Sequence, residues 1–172
     1  PRFGITSSFV DFRKPQNIES AIQKNTGLIF GETLGNPGLD VMNIKMVSNI
    51  AHQNKLPLLV DSTFTTPYLM KPFDYGADLI FHSATKFLSG HGVVIGELLV
   101  DSGNFEWSCN KKFKTLNEPY NGFHNMKFVE EFGPAAFINR ARKEGARDFG
   151  ACMSPHTAFL VLQGLETLSL RM

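Results

Sequence analysis

The sequence predicts an α/β fold with a largely parallel sheet. Three observations carry this. Short apolar runs occur at Leu28-Ile29-Phe30, Leu58-Leu59-Val60 and Leu79-Ile80-Phe81. A stretch of helical period lies between the first two, and polar or turn-forming residues close each run. Fully buried parallel strands read as short continuous apolar runs, and strands alternating with helices imply βαβ units.

Gly4 to Val10 reads as a first strand, and Asn17 to Asn25 as a short helix with Ile18, Ala21 and Ile22 on one face. The strand at 28–30 follows. Asp40 is positioned to cap a helix running to about Lys55, with Val41, Ile44, Val47 and Ile50-Ala51 at helical spacing. The run at 58–60 ends at Asp61, and that at 79–81 ends near Ser83. Val93 to Val100 is a further β-like run. Asp101 to Phe132 is rich in Asn, Lys and Phe without a steady period, and reads as a long surface excursion of the kind that serves function or packs on partners. Helical patterns return at Phe132 to Glu144 and Thr157 to Leu168. There are no internal repeats, low-complexity tracts or obvious linkers.

At 172 residues, the chain suits one compact domain or one piece of a larger one. Apolar residues make up 42% of it, enough for a core, and a net charge of +1 gives no reason to expect nucleic acid or an acidic membrane as partner. No apolar run is long enough to span a bilayer and no signal-peptide pattern opens the chain. Cys109 and Cys152 form neither a metal motif nor a disulfide framework, which fits reduced thiols in a cytoplasmic protein. The sequence opens at Pro1-Arg2-Phe3 and stops at Leu170-Arg171-Met172, directly after a helical pattern, and so reads as a fragment.

Ligands of open α/β sheets sit at the carboxyl ends of the strands. Three polar groups fall there: Asn36 in the turn Gly35-Asn36-Pro37-Gly38, Asp61, and Ser83 with Thr85 and Lys86. Any one alone reads more simply as a cap or turn residue. Together they supply an acid, hydroxyl donors and an amine around one crevice. His82, His91, His124 and His156 lack metal-ligand spacing and read as loop or core residues. Gly90 and Gly92 read as the turn after Lys86 rather than a phosphate loop. Phe113, Phe123, Phe128 and Phe132 read as packing residues, against a neighbouring subunit or the chain's own core, before they read as a binding surface.

The segment from Asp78 to Gly92, DLIFHSATKFLSGHG, resembles the cofactor-attachment signature of the Cys/Met-metabolism family of pyridoxal-phosphate (PLP) enzymes. Glu32 to Pro37, Val60 to Phe64, Ser154-Pro155-His156 and Gln163 to Leu168 are also family-like, so the resemblance covers essentially the whole chain. It implies the large domain of a fold-type I PLP enzyme, with residues 1–172 forming its central and C-terminal part and the N-terminal third and the small C-terminal domain absent. It implies that Lys86 bonds to the cofactor aldehyde and then works as acid and base, which requires the neutral amine that a buried, cationic neighbourhood favours. Asp61 would pair with the pyridine nitrogen. Ser83 and Thr85 would donate to the phosphate, Asn36 would bond the 3′-oxygen, and Thr63 would pack beneath the ring.

Phe132 to Ile138, Ala141-Arg142, Arg147 to Ala151 and Glu118 to His124 resemble the O-acetylhomoserine sulfhydrylase branch of the family. Phe123 stands where that branch usually has Tyr, Asn125 where it has Gly, Ser62 in place of the commoner Asn, and Glu97 where Gly is usual. Val93-Val94 replaces small hydroxyl residues. The implied reaction is γ-replacement on O-acetyl-L-homoserine by sulfide or a thiol, giving homocysteine or methionine plus acetate. The resemblance further implies a cytoplasmic homotetramer in full-length form, with the fragment alone inactive. The alternatives are methionine γ-lyase, cystathionine γ-synthase or cystathionine lyase chemistry, an inactive piece of the same fold, and an α/β binding domain without PLP.

Overall fold

A computed structural model describes residues 3–172. Its centre is a four-stranded sheet in the order β1 (Ile29–Glu32), β2 (Leu58–Asp61), β3 (Leu79–Ser83), β4 (Glu97–Asp101). The first three strands are parallel and β4 returns antiparallel to β3. The register sets Glu32 beside Asp61, Asp61 beside Phe81, and Ser83 beside Glu97. The carboxyl ends of β1 and β2 are therefore level, and β3 runs on past them to Ser83, which makes a crevice there possible.

Helix α1 (Pro15–Ala21) and helix α2 (Ile44–Gln53) cover one face. Ile44, Val47, Ile50 and Ala51 of α2 are buried against Leu58 and Val60 of β2, with Ile18 of α1 in the same cluster. From Ile44 on, the apolar spacing of α2 is as the sequence predicts, but Val41 lies before the helix and is exposed, and the cap is not Asp40. Asn43 caps it, its side chain accepting from the Met46 amide at 3.0 Å. Asp40 lies three residues too early; its carboxylate instead meets the Arg13 guanidinium at 3.3 Å on the surface. At the other end of the strands, the buried Asp78 carboxylate accepts from the Leu58 amide at 2.8 Å and lies 2.9 Å from His52 Nε2 of α2. That contact ties β2, β3 and α2 together on the side opposite the crevice.

Two expectations fail. Gly4 to Val10 is not a strand: the segment pairs with nothing, and Phe3, Ile5 and Phe9 are exposed. A β-prone run becomes a strand only where an edge accepts it. The stretch from Asp101 to Phe132 is not a structureless excursion. It winds through a 3₁₀ turn (Trp107–Cys109), α4 (Lys114–Asn117), a second 3₁₀ turn (Asn121–Phe123) and α5 (Phe128–Phe132), after a short α3 (Thr66–Leu69) earlier in the chain. These pieces form a second core with Leu79, Phe105, Trp107, Leu116, Phe128 and Ala136 buried together. Trp107 stacks on Phe137 at 4.9 Å and meets Phe105 edge-on at 4.8 Å. Such a core has no sequence period because its members meet from separate short turns. Three of the four phenylalanines singled out, Phe113, Phe128 and Phe132, pack into the chain's own core, while Phe123 sits half-buried under the Lys143 ammonium at 4.0 Å.

The helical pattern at 132–144 is broken by Gly133-Pro134 into a 3₁₀ turn, α6 (Ala136–Ala141) and a π-helical turn over Arg142–Asp148. The last pattern is α7 (Pro155–Leu165), capped by Ser154 Oγ from the Thr157 amide at 3.1 Å, followed by α8 (Leu168–Arg171). Among the described residues no helix is long and apolar enough to cross a membrane.

Phe128, fully buried between Tyr120, Phe132 and Arg140, is the keystone of the second core. Phe128→Ala is expected to cost about 3–5 kcal/mol, the range for emptying a buried aromatic site. Urea unfolding followed by far-UV dichroism reads this as a lower midpoint at unchanged slope.

Candidate active site

The carboxyl ends of β1, β2 and β3 open into a cavity of about 690 Å³. Its wall includes Asn36, Asp61, Thr63, Ser83, Thr85 and Lys86, all six residues that the sequence singles out. Asp61 and Lys86 thus share one space although 25 residues separate them (86 − 61). Glu32, Phe64, Phe87, Gly90 and Arg171 line it as well.

Each side chain is positioned by a local device. Asp61 is the last residue of β2, and its Oδ1 accepts from the Thr63 amide at 2.8 Å, which fixes the carboxylate plane. Thr63 Oγ1 accepts from the Ser83 amide at 2.8 Å, so the loop after β2 is bolted to the end of β3. Thr63 is therefore held as a crosslink between strand ends, and it still faces the cavity. Ser62, beneath this loop, is fully buried; its hydroxyl lies 2.7 Å from Thr65 Oγ1, which lies 3.1 Å from Thr33 Oγ1. This hydroxyl chain joins the ends of β1 and β2 and accounts for a small hydroxyl residue at 62.

Lys86 stands on the turn that leaves β3. The Lys86 amide donates to Ser83, the Ser89 amide to Ala84 at 3.1 Å, and the Gly90 amide to the Lys86 carbonyl at 2.8 Å. Gly90 has φ +71°, a conformation that suits glycine. The side chain of Lys86 is exposed rather than buried, contrary to expectation, and Arg171 is the other cation in the wall. The physical reason is its place at the tip of the turn, beyond the buried Ala84 and Leu88. Thr85 is clipped to the strand that returns: its hydroxyl accepts from the Gly96 amide at 3.0 Å and donates to the Gly96 carbonyl at 3.2 Å. Ser83 carries no such internal bond from its hydroxyl among the contacts of the described residues, which leaves its hydroxyl the freer of the pair. Asn36 is exposed on the turn after β1, its amide N–H donating to Glu32 Oε2 at 3.0 Å. Glu32 is thus a site residue that motif reading passed over; its place at the end of β1, in register with Asp61, was the available signal.

His82 is a core residue, as expected: it is buried, its Nδ1 donates to the Ser62 carbonyl at 3.1 Å, and burial holds its pKa below the usual histidine value. No group of His, Cys, Asp and Glu among the described residues is arranged to hold a metal ion. Cys109 and Cys152 are both free thiols.

The sequence model of the Cys/Met metabolism PLP-dependent enzymes matches residues 1–172. The chain belongs to that family. Its fold is accordingly that of the large domain of fold-type I PLP enzymes, with a mostly parallel sheet flanked by helices. Homocysteine synthase of Schizosaccharomyces pombe is 45% identical over 174 residues, covering all of this chain and 41% of that protein. O-acetyl-L-homoserine sulfhydrylase of Leptospira meyeri is 45% identical over 180 residues, covering all of this chain and 40% of that one. A Campylobacter jejuni structure described as an O-acetylhomoserine (thiol)-lyase with N'-pyridoxyl-lysine-5'-monophosphate superposes with a TM-score of 0.92. It is 34% identical over 98% of this chain and 41% of that one. The chain therefore spans well under half the length of these relatives.

The cavity suits the family's cofactor. It offers an amine for an aldehyde, a fixed carboxylate whose second oxygen can accept from a ring N–H, a hydroxyl donor for a phosphate, and two aromatic walls.

Proposed function

We propose that the full-length protein catalyses PLP-dependent γ-replacement on O-acetyl-L-homoserine, joining sulfide or a thiol to the γ-carbon and releasing acetate. The products are homocysteine or methionine. The observation that carries this reading is the convergence of Lys86, Asp61, Ser83 and Asn36 on one cavity at the ends of parallel strands. Similarity to a homocysteine synthase and an O-acetyl-L-homoserine sulfhydrylase supports the substrate class.

When bound, PLP supplies an electron-withdrawing ring that makes the α-proton of an attached amino acid acidic. Lys86 would hold the cofactor through its aldehyde and, as a free amine, would carry protons between the α- and β-carbons of the substrate. Asp61 would keep a proton on the ring nitrogen. Ser83 would donate to the phosphate, with Thr85 bracing the turn beside it. Asn36 would donate its side-chain amide to the 3′-oxygen, and Thr63 would support the ring. We assign residues 1–172 to the central and C-terminal part of the large domain. The N-terminal third and the small domain lie outside the chain, and the complete protein is a cytoplasmic homotetramer.

The test is a product balance on the full-length protein. With O-acetylhomoserine and sulfide, homocysteine and acetate should appear one for one, and the protein should absorb in the visible. Ketoacid and ammonia released from methionine or cystathionine as the dominant reaction would make it a lyase instead. A colourless protein indifferent to Lys86 would rule out PLP altogether.

A further inference from the structure

Arg171 enters the cavity of Lys86 from the end of α8. Its Nη1 donates to the Phe87 carbonyl at 2.6 Å. Its Nη2 donates to the Gly164 carbonyl at 2.7 Å and reaches the Leu88 carbonyl at 3.5 Å, and its Nε donates to Thr167 Oγ1 at 3.0 Å. One guanidinium thus joins the two residues that follow Lys86 to the last turn of α7 and to the cap of α8. The rigid fork of donors in arginine suits this task, because it can meet several carbonyls in one plane.

The surrounding backbone is shaped for the same contact. Within the turn, the carbonyls of Ala84, Thr85 and Lys86 already accept from Ser89 and Gly90, whereas those of Phe87 and Leu88 are the ones that Arg171 takes. A Cβ on Gly90 would strike the Arg171 guanidinium, and a Cβ on Gly164 would strike the Ser89 backbone. Two glycines therefore let helix, guanidinium and turn come together. The bonds end on the backbone of residues 87 and 88, so any slack in them moves the Cα of residue 86 directly.

We propose that Arg171 is a positioning residue: it clamps the lysine turn against α7 and α8 and so sets the direction in which Lys86 points into the cavity. The consequence for the cofactor rests on the PLP reading above; the clamp itself does not.

The experiment uses full-length protein carrying Arg171→Ala, Arg171→Lys or Gly90→Ala. A lysine keeps the charge but gathers its donors on one nitrogen, so it cannot span the acceptors that the three nitrogens of Arg171 reach separately. In cofactor-free protein, Arg171→Ala should speed amide exchange at Ser89 and Gly90 by about tenfold, the factor for losing roughly one charge-assisted hydrogen bond from a turn. The β2 amides should be unaffected. In the loaded protein, the visible dichroism, which reports how the ring is held relative to Lys86, should weaken, and cofactor release should quicken by about the same factor. Arg171→Lys should restore little. If the alanine variant does not fold, Arg171→Lys and Gly90→Ala decide by the same two readouts. A lower melting temperature with unchanged exchange at Ser89 and Gly90 and unchanged dichroism would make Arg171 a plain structural tie and overturn the proposal. A wild-type protein without a visible band would defeat the PLP reading alone, and the exchange measurement would still decide the clamp.

Discussion

Lys86→Ala in the full-length protein is expected to remove the visible band of the bound cofactor and to lower turnover by at least ~10³-fold, since one change deletes both the covalent anchor and the proton carrier. The structure makes the prediction sharp. Among the described residues, Lys86 is the only amine lining the cavity, and Arg171, the other cation there, is committed to backbone carbonyls. No described neighbour can take over. The fold should survive, because the side chain is exposed and the turn is held by its own backbone bonds. An absorbance scan with a parallel far-UV spectrum separates these outcomes. A retained band at the wild-type wavelength in Lys86→Ala would move the anchor elsewhere.

Asp61→Asn should be the second most damaging change. An amide has the shape of the carboxylate but cannot hold a proton on the ring nitrogen, so the electron demand that acidifies the α-carbon weakens. A loss of about 10²–10³ in kcat is expected, comparable with deleting one preorganised electrostatic contact in other active sites. Cofactor affinity should fall by less, because Lys86 and the phosphate donors remain. Stability should be nearly unchanged, since the asparagine oxygen can still accept from the Thr63 amide that Asp61 Oδ1 accepts from at 2.8 Å. Steady-state kinetics and a cofactor titration on the same preparation give both quantities. An equal loss in affinity and in kcat would mean that Asp61 mainly binds the cofactor rather than tuning it.

The site was largely legible in the sequence because its residues follow strand ends. Asp61 closes an apolar run and Ser83, Thr85 and Lys86 follow another, so a parallel sheet brings them to one side by register alone. Glu32 closes a strand as well but was passed over, and Arg171 was not legible at all. Glu32 acts through a backbone amide four residues on, and Arg171 reaches across 84 positions to Phe87. Neither contact leaves a spacing signal. The same reason separates α2, whose apolar period is plain, from the aromatic core around Trp107 and Phe128, which forms from short turns without a period.

By itself the sequence determined the alternation of strand and helix, the order in which the chemical groups meet the strand ends, and the family. Those properties are local, carried by apolar runs, caps and a contiguous motif. Only the tertiary structure decided that Gly4 to Val10 stays out of the sheet, that 101–132 is a packed layer, that Lys86 is exposed, and that Arg171 grips its turn. Each of these depends on what a distant segment offers as a partner, and pairing energies between segments are not written in either segment alone.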